Sequence, residues 1–122
     1  MIGAARLLAD LSMLVKRTPA DGVSVCAHAA VRRVFRFAYE AIHQSLLQES
    51  VTVTVKVIRD RHVGVASADT LERQRLLRCA RAAQEIARHS PAQRDVPALP
   101  GRHRAHSRAE HVAATAHASA AS

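Results

Sequence analysis

Eight histidines, two cysteines and a scatter of carboxylates are the groups in this 122-residue chain that could do chemistry. Nucleophilic catalysis needs a Ser or Cys held beside a base. Ser67 follows Gly64-Val65-Ala66, which is not the Gly-x-Ser-x-Gly elbow that exposes a nucleophile. Cys26 and Cys79 lie far apart and form neither a CxxC pair nor a zinc-finger spacing. Both read as small buried apolar residues. The four glycines are too dispersed for a phosphate-cradling loop. Glu40, Glu49, Asp60, Asp69, Glu72 and Glu85 show no spacing that pairs them for acid–base work. His103, His106, His111 and His117 enrich the C-terminal stretch, and such tracts bind metal adventitiously. Their spacing is irregular and no rigid element holds them, so no selective metal site is expected. His43 and Gln44 lie between apolar stretches and are candidate contacts for a peptide or a partner. The plainer alternative for His43 is a hydrogen-bonded structural histidine at the entrance to a sheet.

The length is that of one domain with one core. Only Phe35, Phe37 and Tyr39 are aromatic, so Val, Leu, Ile and Ala must build that core. The formal net charge of +8 raises a second function class, a small basic nucleic-acid-binding protein. Arg73, Arg75, Arg78, Arg81 and Arg88 on one helix are its main support. Against it stand the scattered arginines, the missing recognition motif and the lack of an aromatic stacking platform. A solvated basic surface accounts for the charge, and nucleic acid is disfavoured as a partner. No apolar run approaches the roughly 20 residues needed to cross a bilayer, and no signal peptide is evident. The chain is read as cytoplasmic, with no membrane partner.

The elements that would position these groups follow from periodicity. Residues 2–17 place Ala4, Leu7, Leu8, Leu11, Leu14 and Val15 on one helical face. Thr18 to Gly22 break that pattern. Val23 to Ala27 and Val31 to Ala38 read as two short strands. From Ser50 to Arg59, Val51, Val53, Val55 and Val57 alternate with Thr52, Thr54, Lys56 and Ile58, the pattern of a strand with one buried face. Val63 to Ser67 forms the next strand across the turn at Asp60-Arg61-His62. A tight turn wants Gly or Asn where φ is positive, so a looser turn or some strain is expected there. Asp69 with Glu72 resembles a capping box opening a helix that runs to His89. Leu76, Cys79, Ala80, Ala83, Ile86 and Ala87 form its apolar stripe, and Ser90-Pro91 ends it. These elements predict an α+β fold: a helix, an antiparallel sheet of about four strands, a helix, then a disordered C-terminal tail. The expected division is residues 1–90 as the folded domain, 91–101 as a Pro-rich linker and 102–122 as the tail.

Phe37 to Pro100 also resembles a known family. Ile42-His43-Gln44 is followed by the valine-alternating strand from Val51 to Ile58, Gly64-Val65-Ala66-Ser67, a helix with Ala83 to Arg88, and a proline-rich exit ending at Leu99-Pro100. In order and spacing this is similar to the N-terminal domain of the TldD/PmbA zinc metallopeptidases, also described as modulators of DNA gyrase. The resemblance implies a domain that helps form a dimer with a homologous or paired TldD/PmbA-like subunit. It also implies access of peptide substrates to a metal chamber. Asp60, Gly64 and Asp69 are then structural turn and cap positions. The turn departs from the family's usual Asp-Gly, having Asp60-Arg61. The family's zinc motif, His-Glu-x-x-x-His on a later helix, is missing: Glu110-His111 is not preceded by His. Proteolysis is therefore not expected of this chain alone. No cofactor is expected in it, and zinc is expected only in a catalytic domain outside it.

The stretch 102–122 is nearly all Ala, Arg, His and Ser, the composition of a GC-rich gene read out of frame. Two origins fit: a truncated peptidase fragment, or a free-standing domain with a basic tail.

Overall fold

The structure is a computed structural model and describes residues 3–101 and 111–119. Along the chain run α1 (Ala4–Arg17), β1 (Gly22–Ala38), β2 (Ala41–Arg59), β3 (His62–Ala68), α2 (Arg73–His89) and the short α3 (Ala113–Ala116). The three strands form one sheet in the order β1-β2-β3, with β2 antiparallel to β3. The α+β class expected from periodicity is found, with three strands in place of about four. The two short strands expected at 23–27 and 31–38 are one continuous β1. Residues 28–30, His-Ala-Ala, carry no turn chemistry that could divide it. Likewise β2 begins at Ala41, so His43 and Gln44 lie inside a strand rather than before one.

The chain divides into two units, Met1–Ala30 with Ser50–Leu99 and Val31–Glu49 with Pro100–Ser122. The first unit holds the core. Val53, Val55 and Val57 are fully buried, as their alternation predicts, and Thr52, Thr54 and Lys56 lie on the other face. The register explains how a helix lies so close to them. Val53 pairs with Ala68, Val55 with Ala66 and Val57 with Gly64, so the core face of β3 bears only small side chains. Against that face α2 buries Cys79, Ala80, Ala83 and Ala87, also small, together with Leu76. Small residues on both surfaces let helix and strand backbones approach closely, and the valines of β2 supply the bulk beside them. Ile86, placed on the stripe by periodicity, is instead 45% exposed at its margin. On the far face Thr54 and Ser67 are cross-strand partners whose hydroxyls hydrogen-bond at 3.0 Å.

From α1, Leu14 enters the same core, with Leu11 and Met13 packed around it. Leu8 and Val15 are 63% and 43% exposed, so the buried stripe of α1 is narrower than its apolar pattern. Thr18, buried, donates its hydroxyl to the Leu14 carbonyl at 2.7 Å and closes the helix. The Gln84 side-chain amide donates to the Pro19 carbonyl and joins α2 to this exit.

The β2–β3 link is a tight two-residue turn, with Asp60 at φ 47° and Arg61 at φ 65°. Both residues carry a Cβ into the left-handed region, which costs roughly 1–2 kcal/mol per residue. The turn is held from outside: Asp21 Oδ2 accepts the Asp60 amide at 2.8 Å, and the Gln93 amide donates to the Arg61 carbonyl at 2.9 Å. The strain is the alternative the sequence allowed, and the looser turn is not formed. Changing Asp60-Arg61 to Asn-Gly keeps both backbone hydrogen bonds and removes most of the steric cost. The variant should be more stable by about 1 kcal/mol, seen in thermal denaturation as a midpoint raised by roughly 4–8 °C.

Helix α2 starts at Arg73 with Glu72 at its N-cap position and no side-chain cap. Asp69 is therefore not the cap. The hydroxyl of Thr70 accepts the Glu72 amide at 3.1 Å, a local turn that ends the extended link before helical geometry begins.

The second unit contains the Tyr39-Glu40 turn, with φ 49° and 61°, and the strand segments flanking it. It also contains α3. The Arg33 guanidinium donates to the Ala118 carbonyl at 3.0 Å. Residues 102–110 and 120–122 of the expected disordered tail lie outside the described residues, His103 and His106 among them.

Candidate functional site

The residues singled out for function fall in different places. His43 and Gln44 sit in β2 and are both exposed. The His43 Nε2–H donates to the Ala38 carbonyl at 3.0 Å, bracing the Tyr39-Glu40 turn. Adjacent strand residues point to opposite faces, so His43 and Gln44 lie on opposite sides of the ribbon. Around them the ribbon exposes Phe37 by 79%, Tyr39 by 98% and Leu47 by 55%, with Ile42 and Leu46 also open. Apolar clusters of this kind mark interaction surfaces. Periodicity could not find this one, because both parities of the strand carry apolar side chains.

Asp60 lies in the β2–β3 turn, and Gly64 lies on β3 facing α2. A Cβ built on Gly64 would lie 1.9 Å from the Ala83 carbonyl oxygen and 2.5 Å from the Ala87 amide nitrogen. Only glycine allows β3 and α2 to meet there.

Sequence reasoning passed over His62. Its Nδ1–H donates to the Ser90 carbonyl at 2.6 Å, tying the start of β3 to the end of α2. Arg59, Asp60, His62, Gln84, Glu85 and Arg88 line an open cleft of about 520 Å³ beside it. Within it Arg88 pairs with Glu85 at 3.0 Å. Among the described residues no three His, Cys, Asp or Glu are grouped to hold a metal ion. The donor set a catalytic zinc needs is thus not assembled by them.

The cysteines differ in setting. Cys79 is buried, and burial pushes its thiol up from the ordinary value of 9.0. Cys26 is exposed, contrary to the expectation that both are buried, because it lies on the outward parity of β1 between the inward Val25 and Ala27. A thiol reagent at neutral pH should label one site fast, Cys26. Cys79 should react only on the timescale of unfolding, since the thiolate is the nucleophile. Peptide mapping after timed alkylation checks this. The raised thiol also favours the folded state below pH 9.0, a contribution that fades as pH climbs above that value.

The sheet has two edges. In the order β1-β2-β3 both β1 and β3 are edge strands, each with one row of backbone groups unpaired by another strand of the sheet. Among the described residues no helix is long and apolar enough to cross a membrane.

The fold of this chain is similar to that of a solved protein. TldE from Thermococcus kodakarensis superposes on this chain with a TM-score of 0.68 at 15% sequence identity, over 88% of this chain and 24% of its own. This chain thus spans about a quarter of the length of that protein. At such identity the likeness shows the fold alone. TldE is a TldD/PmbA-family member, so the link to that family stands at the level of fold. No family model matches the sequence, and no curated protein matches it.

Proposed function

We propose that this chain is the non-catalytic N-terminal module of a TldD/PmbA-like metallopeptidase. It would contribute to dimerisation with a homologous or paired subunit and to the access of peptide substrate. The observation that carries this reading is the TldE-like fold over 88% of the chain. It agrees with the resemblance carried by Ile42-His43-Gln44, the valine strand and Gly64 to Ser67. The exposed apolar side chains of residues 37–47 support a role in association, and the open strand edges support contact with extended peptide. The hydrolytic chemistry belongs to a polypeptide beyond these residues, where zinc would polarise the scissile carbonyl and activate water.

Translation of the DNA beyond codon 122 in all forward frames, together with the adjacent genes, tests the reading. A His-Glu-x-x-x-His helix there supports it. Its absence from every frame and neighbour overturns it. So does tight, steeply salt-dependent binding of duplex DNA by the purified chain, the behaviour of the basic nucleic-acid binder.

A further inference from the structure

The open cleft beside the β2–β3 turn holds polar atoms that the fold leaves uncommitted. All of its lining residues belong to the first unit. Among the described residues the ion pairs are Arg75–Glu72, Arg88–Glu85 and His89–Glu85. Glu85 and Arg88 therefore answer each other inside the cleft. Arg59 and Asp60 also line it, and neither is in an ion pair, although they are neighbours in sequence. Hydrogen bonds fix the groups around them. His62 gives its Nδ1–H to the Ser90 carbonyl, and in the neutral ring this leaves Nε2 with its lone pair. Gln84 gives an amide N–H to the Pro19 carbonyl, which leaves its amide oxygen as an acceptor. The Asp60 backbone amide is held by Asp21 Oδ2, while the Asp60 carboxylate itself has no partner among the described residues. The uncommitted set is thus one guanidinium and three acceptors: a carboxylate, an imidazole nitrogen and an amide oxygen.

We infer that this cleft binds a small zwitterion of the α-amino-acid class, with its carboxylate on Arg59 and its ammonium among Asp60, His62 and Gln84. The inference does not rest on the proposed peptidase role, and its failure would leave that reading standing. A guanidinium fork matches a carboxylate in shape and charge. An ammonium carries three N–H donors and no acceptor, so it satisfies the three acceptors of the cleft together. A simple anion such as phosphate would answer Arg59 but would face the carboxylates of Asp60 and Glu85. A simple cation would leave Arg59 unanswered. Among the described residues no three His, Cys, Asp or Glu are grouped to hold a metal ion, which removes the other common occupant of such acceptors. The cleft volume of about 520 Å³ suits a small ligand and leaves room beyond the charged head group for a side chain. The bonds to Ser90, Pro19 and Asp21 hold the site before the ligand arrives, so little ordering remains to oppose binding. Arg59 and Asp60 are exposed, and water weakens each charge pair, so the affinity is of millimolar order.

The test titrates the full, ¹⁵N-labelled chain with L-leucine, leucinamide and N-acetyl-leucine, just below neutral pH. Leucinamide keeps only the positive charge, and N-acetyl-leucine keeps only the negative one. Leucine should shift the backbone amide signals of residues 59–62 and 84–88 saturably. Each analogue should bind about tenfold more weakly, the change expected when one charge-assisted contact is lost. Arg59→Gln should lower leucine to the level of leucinamide and leave leucinamide itself unaffected. Asp60→Asn should lower leucine to the level of N-acetyl-leucine, in a turn conformation that Asn tolerates. The three ligands on the unaltered chain decide the matter even if a variant does not fold. Absence of saturable shifts with leucine would overturn the inference. N-acetyl-leucine binding as well as leucine would overturn it in favour of a simple anion site, and leucinamide doing so would overturn it in favour of a cation site. Unchanged leucine affinity in both variants would place the ligand elsewhere and overturn it too.

Discussion

Gly64→Ala should destabilise the first unit by about 3 kcal/mol or more, a large share of the roughly 5–15 kcal/mol that holds a domain together. The added methyl would sit 1.9 Å from the Ala83 carbonyl oxygen and 2.5 Å from the Ala87 amide nitrogen. Both are backbone atoms of a hydrogen-bonded helix, so no rotamer change relieves the clash. Either α2 moves off the sheet, opening space around Val55 and Val57, or β3 loses its register with β2. Chemical denaturation of the purified variant measures the loss. The cause is separable from ordinary side-chain crowding. If the backbone is the obstacle, Gly64→Ala/Ala83→Gly should be no more stable than Gly64→Ala, because truncating the Ala83 side chain removes neither offending atom. Full recovery in the double variant would show that the strand and helix do not meet this closely.

Leu14→Ala should cost about 2–5 kcal/mol. Leu14 is fully buried, the residue through which α1 enters the core, and Leu11 and Met13 pack beside that core without being enclosed in it. A cavity there has few ways to collapse, since Val53, Val55 and Leu76 around it are themselves fully buried and held by sheet and helix backbones. Leu8→Ala is the control. That side chain is 63% exposed on the same helix, and its truncation should change stability by less than about 0.5 kcal/mol. Equal effects at the two positions would mean that α1 does not dock by the Leu14 face.

The valine alternation of residues 51–57 makes the sheet's buried face legible in the sequence itself, because a two-residue period has one physical reading when one parity is β-branched and the other polar. The stripe of α2 is legible for the same reason at helical period. The long β1 is not. Both parities of residues 31–38 bear apolar and basic side chains, so no face is marked and the strand reads as a separate short piece. The Asp69 cap is misplaced by sequence because a carboxylate three residues before Glu is only a local signal.

The candidate binding elements divide the same way. The arginines and the exposed aromatics are countable in the sequence, but whether they lie on an edge strand is not, since edge position is a property of strand order. Cys26 reads as buried on composition and lies outside on parity. The small residues Gly64, Ala66 and Ala68 alternate as visibly as the valines, yet their meaning depends on Val57, Val55 and Val53 standing opposite and on a helix arriving above them. Period and residue type follow from local chain geometry, so composition and order alone suffice for the α+β class, the valine face and the helical stripe. Close backbone approach, strand order and the strained Asp60-Arg61 turn follow from contacts between distant segments. Those contacts exist only once the chain has folded, so tertiary packing alone decides them.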